Sequence, residues 1–159
     1  MSGRSYPGFL GPFVTAIALL FVFVLSTPAQ PVSSESTPHE RGLQAEGFVT
    51  GRLAVWQQRL NLQDWKISIV MSHPGDLKPK TLGNIHWDAD KKSAVIRVLD
   101  ASDYRLPFRE MLEDMEFTVV HELIHLELSS LPRSEASRRD EEHAVNQIAD
   151  ALLKLDRKK

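Results

Sequence analysis

From Phe108 to Leu128 the chain carries neither proline nor glycine, Pro107 stands where a helix can begin, and Leu131-Pro132 stands where one must end. One long helix is therefore an element of any fold this chain adopts. On it His121 and His125 lie four residues apart, so both imidazoles leave the same face, about 5–6 Å apart, and two ring nitrogens can meet one metal ion. Glu122 follows His121 directly. Its carboxylate is turned by about 100° from that face, beside the ion and not on it, where it can take a proton from water. A hydrolytic zinc site uses three protein ligands and keeps one position open. This helix supplies two of them.

The third ligand is expected on an element that packs across the motif helix. From Glu141 to Leu155 helical spacing resumes through Val145, Ile148, Ala149, Leu152 and Leu153. Glu142 lies three residues before Val145 and seven before Ala149, which turns it inward with that apolar face. Asn146, one turn later, is placed to orient its carboxylate. Glu142 is thus the expected third ligand, with Glu141 and His143 as alternatives. His86, Tyr104 and His143 are weaker candidates for the polar group that stabilises an oxyanion, because a hairpin histidine or a loop tyrosine is more often a surface or packing residue. Trp56, Trp65 and Trp87 are expected to pack in or beside the core.

His121-Glu122-Leu123-Ile124-His125 matches the HExxH motif of zincin metallopeptidases, and a ligand glutamate on a following helix resembles the gluzincin branch typified by thermolysin. The layout over roughly 48–155 is similar to minimal gluzincin-like domains of the ImmA-type and SprT-like families. The resemblance implies His121 and His125 as zinc ligands, Glu122 as general base and Glu142 as third ligand. The longer metzincin pattern is absent, since Leu128 and Leu131 stand where it needs glycine and histidine. No room exists for the separate substrate-binding domain of larger gluzincins. With six histidines in the chain, a chance HExxH arises on the order of once in a hundred such sequences, so the motif needs its helical and apolar setting to carry weight. The plain alternative is a core helix with two hydrogen-bonded histidines.

Ahead of the motif helix, Phe48, Leu53, Val55, Trp56 and Leu60 keep helical spacing and stop at Asn61, which predicts a helix over 46–60. Trp65 to Met71 alternates like a half-buried strand. Thr81–Trp87 and Ser93–Leu99 flank a polar loop and predict a hairpin. The order helix, three strands, helix, helix indicates an α+β fold with a small, mainly antiparallel, three-stranded sheet packed on helices. Residues 30–46, rich in proline, serine and charge, read as a flexible linker.

The N-terminus is a different kind of sequence. Arg4 is the only charged residue before Glu35, and the apolar run Phe13–Leu25 is followed by Thr27-Pro28-Ala29 at the spacing of a signal-peptidase site. Cleavage is expected after Ala29, leaving 47–159 as the metallohydrolase domain; an uncleaved anchor is the competing reading, because the run extended back to Phe9 approaches the span of a membrane helix. The 159 residues contain no cysteine, which excludes disulfides, thiolate zinc sites and cysteine nucleophiles. A net charge of −2 with interspersed signs shows no footprint for nucleic acid. The expectation is an exported Zn²⁺-dependent peptidase, periplasmic or secreted, acting on a peptide or protein and free of the membrane once the signal is removed. The rival is a non-catalytic metal-binding or interaction module. The oligomeric state is not written in the sequence.

Overall fold

The computed structural model of the chain describes residues 37–132 and 134–158, the side chains of 135–138 excepted; the expected signal segment and the start of the expected linker lie outside them. In order come helix α1 (Pro38–Arg59), strands β1 (Lys66–Ser72), β2 (Gly83–Asp88) and β3 (Ser93–Leu99), helix α2 (Phe108–Glu127) and helix α3 (Glu135–Asp156). The α+β order read from the sequence is the order observed.

Two boundaries differ. Residues 38–46, expected in a linker, are the first turns of α1. Thr37 and Glu40 form a reciprocal capping box, Glu40 N donating to the Thr37 hydroxyl at 3.2 Å and Thr37 N to the Glu40 carboxylate at 2.7 Å, with Pro38 in the first turn. Ala45, Val49, Leu53 and Trp56 then form one buried stripe, and this tertiary burial holds a helix that composition alone disfavours. Its other end is where expected: Asn61 adopts φ 55°, Leu62 N bonds Gln57 O at 2.9 Å and Asn61 N bonds Gln58 O at 3.2 Å, a Schellman ending. The last helix begins at Glu135, six residues ahead of the expected Glu141.

The strand order is β1-β3-β2. Strands β2 and β3 make the expected antiparallel hairpin, Gly83 opposite Val98 and Asp88 opposite Ser93. Strand β1 lies on the other side of β3 and parallel to it, Lys66 opposite Ser93 and Ser72 opposite Leu99. The sheet is therefore mixed where the sequence reading is mainly antiparallel. Alternation tells which face a residue takes but not which neighbour a strand chooses or in which direction.

Ala94, Ile96 and Val98 point from the central strand into the core. Helix α2 fills the space between sheet and helices, and from Met115 to Leu126 it is buried almost all round. One polar cluster ties the three helices together. Glu116 of α2, buried, accepts from Arg52 Nε at 2.5 Å and from Trp56 Nε1 at 2.8 Å, both on α1. Arg52 Nη2 and Arg59 Nη2 also donate to the Asp156 carboxylate of α3, at 2.6 and 2.7 Å. A buried glutamate with two such donors is satisfied, and α3 is held against the other two helices.

Candidate metal centre

The i, i+4 spacing brings His121 and His125 to one face of α2, and the lock at Asp156 together with the apolar stripe Val145, Ala149 and Leu153 lays α3 across that face. Ligand atoms of His121, His125 and Glu142 all lie within 4.8 Å of one another. The two Nε2 atoms are 3.0 Å apart. Glu142 Oε2 lies 3.4 Å from His121 Nε2, and its Oε1 lies 3.3 Å from His125 Nε2. The histidine side chains are 15% and 11% exposed, against 53% for Glu142, so the cluster opens to solvent on the side of α3.

Each Nδ1 has an oxygen partner. His121 Nδ1 is 3.1 Å from Asn146 Oδ1 and His125 Nδ1 is 3.0 Å from Glu141 Oε1. A carboxylate and an amide oxygen both accept, so these partners favour a proton on each Nδ1, the tautomer that leaves Nε2 for a metal. Burial, followed by the field of His125, lowers the pKa of His121 and favours its neutral form. Two ring nitrogens and a carboxylate thus face one another at 3.0–3.4 Å, a donor set that suits a divalent cation. Bonds of about 2.0–2.1 Å in a tetrahedron separate zinc ligand atoms by about 3.3 Å. The observed 3.0–3.4 Å spans that value, so these residues fit a zinc-sized divalent ion.

The structure sorts the expected residues. Glu142 joins the histidines, while Glu141 stands behind His125 and aims its ring; Asn146, expected on Glu142, bonds His121 instead. His143 is exposed and does not line the groove beside the cluster. His86 points to solvent from β2 and is likewise outside it. The Tyr104 hydroxyl donates to Asp114 Oδ2 at 2.9 Å, and burial, reinforced by Asp114, pushes its pKa far up. None of these three lines the groove beside the cluster. No family model matches the chain, and neither a curated protein nor a solved structure does. What the site can do follows from its own geometry.

That geometry includes a groove of about 540 Å³ between α2, β2, the loop before β2 and the start of α3, with His121, Glu122, His125 and Glu142 on its floor. Glu122 is 7% exposed. Burial pushes its carboxyl up to about 7; the Glu142 charge adds to the rise, while His125 and Lys78 oppose it. Strand β2 can come this close because of Gly83: a Cβ there would lie 2.4 Å from Thr118 Cγ2, 2.7 Å from Arg97 O and 3.7 Å from Glu122 Oε1. A glycine opening a strand marks such a close approach and was the available signal for this wall. Next to it, Asn84 is 9% exposed, lines the groove, and its Oδ1 has no hydrogen-bond partner among the described residues. Nothing in the local sequence distinguishes this asparagine from a turn residue.

Proposed function

We propose that the chain is a zinc-dependent peptidase working outside the cytoplasm, with His121, His125 and Glu142 as metal ligands and Glu122 as general base. The observation that carries the reading is the convergence of two imidazoles and a carboxylate beside a second, buried carboxylate in an open groove. A zinc ion held there supplies Lewis acidity, which acidifies water and polarises a carbonyl. Glu122 takes the proton of the attacking water on a carboxylate oxygen. As the peptide C–N bond breaks, it returns that proton to the leaving amine, and the hydroxyl stays on the acyl carbon. Burial, which disfavours the charged carboxylate, suits a group that must both take and return a proton. Export is supported by the apolar run before Thr27-Pro28-Ala29.

The groove supports an extended peptide as substrate. Leu99 N donates to Leu82 O at 2.9 Å, so in the alternating antiparallel pattern the backbone N–H and C=O of Gly83 and Ile85 point away from β3, toward the open edge. An added strand would meet them.

The test is metal content and turnover in parallel. Wild type purified without chelator should hold about one zinc per chain and cleave an unstructured protein. Glu122→Gln should keep the zinc and lose about 10²–10⁴-fold in rate, whereas His121→Ala and His125→Ala should lose both. Full activity in Glu122→Gln would overturn the mechanism; stoichiometric zinc with no cleavage across a broad peptide library would leave a binding module.

A further inference from the structure

One wall of the groove is formed by the turn Lys78-Pro79-Lys80-Thr81 between β1 and β2. Two hydrogen bonds to a single carbonyl pin it: Thr81 N and the Thr81 hydroxyl both donate to Lys78 O, at 3.1 and 2.8 Å. Proline at the second position and a positive φ at the third are the pattern of a type II turn, whose third position belongs to glycine. Here that position is Lys80, at φ 66°. A lysine held in the left-handed region is strained, and the turn forms in spite of it. Lys92 is also held at positive φ, φ 47°, but its ammonium has a partner in Asp64. Neither Lys78 nor Lys80 has an ion-pair partner within 4 Å among the described residues, although the Lys78 charge acts on the buried Glu122, and both residues line the groove.

Of the groove's carboxylates, Glu122 is buried and feels the Lys78 charge, and the other three are engaged elsewhere. Asp114 accepts from Tyr104, Glu141 lies on His125, and Glu142 lies on both imidazoles. Two cations on a pinned turn, neither within ion-pair distance of a described carboxylate and both beside the groove that holds His121 and His125, suit an anion brought in from outside. We propose that the Lys78–Thr81 turn is the specificity element of the groove, and that Lys78 and Lys80 together receive a carboxylate of the bound peptide. That carboxylate is an acidic side chain or a free C-terminus. The inference rests on the peptide-groove reading above and extends it from peptides in general to anionic ones.

The experiment reads binding and needs no turnover. Three fluorescent peptides of equal length are titrated against the zinc-loaded full chain carrying Glu122→Gln: a neutral peptide with an amidated C-terminus, the same peptide with aspartate and glutamate residues, and the neutral peptide with a free C-terminus. At least one carboxylate-bearing peptide should bind on the order of tenfold more tightly than the neutral amide, as expected for a charge-assisted contact, and the advantage should shrink with added salt. Which of the two gains identifies the source of the carboxylate. Lys78→Gln with Lys80→Gly should abolish the advantage without lowering the melting temperature, because glycine relieves the strained φ. Equal binding of all three peptides, no binding of any, or a preference that survives the double variant would overturn the proposal. A wild type that shows the preference, holds zinc and cleaves nothing would uphold this inference while removing the peptidase reading.

Discussion

At the scale of single residues, the contrast between Glu141 and Glu142 separates two roles in the proposed metal site. Adjacent helical residues point about 100° apart, so one faces the two Nε2 atoms and its neighbour reaches the Nδ1 of His125 from behind. Their removal should therefore differ in kind. Glu142→Gln should abolish stoichiometric zinc binding, because two histidines hold the ion poorly. Glu141→Gln should keep one site per chain with affinity lowered by about 10–100-fold, the usual effect of losing a group that orients a ligand. Competition against a chromophoric chelator measures both, and equal losses would show that the assignment of the two glutamates is wrong. The offsets to Val145 and Ala149 pointed to Glu142 on the inward face, and the structure brings it beside both histidines. Asn146 was misplaced because Glu142 and His121 both lie within reach of its face of α3, and spacing along one helix cannot say which partner on another helix is nearer.

At the scale of elements, α1 shows how a helix can be hidden in its own composition. Gly42, Gly47 and Gly51 interrupt it, and proline and charge fill its start. The local signal for its true beginning was the pair Thr37 and Glu40, spaced as a capping box; the rest came from burial of Ala45 and Val49 against the core. Gly47 and Gly51 lie on the exposed face, and a Cβ at either would meet nothing within 4 Å. Gly47→Ala and Gly51→Ala should each stabilise the protein by about 0.5–1 kcal/mol, which for a domain of this size raises the melting temperature by a few degrees. Thermal melts followed by circular dichroism check it, and a fall in either variant would mean that this face of α1 is covered in solution.

At the scale of the whole molecule, the geometry of the centre depends on α3 keeping its place over α2, and the Arg52, Arg59, Glu116 and Asp156 cluster holds the far end of α3, about 21 Å along the helix from Glu142. Hydrogen bonds from Arg59 and Arg52 bring the Asp156 carboxyl down to about 2. Its folded pKa lies below the unfolded value of 3.8, so the stabilisation is present above that value and is lost as pH falls toward about 2. Asp156→Asn should accordingly melt below wild type at pH 7, and the gap should close between pH about 4 and about 2; a gap of constant size across that range would assign the effect to something other than this charge. The local pattern determined the helix that carries the histidines, the face they share, the alternating strands and the end of α1 at Asn61, because each of these depends on the chain's own period and on caps a few residues away. Tertiary structure alone decided the parallel seat of β1, the partners of Asn146 and Tyr104, the burial of Glu122 and the open wall made by Gly83, Asn84 and the Lys78–Thr81 turn. Those features arise where segments distant in sequence meet, and which of several compatible faces come into contact is settled by packing the whole core at once.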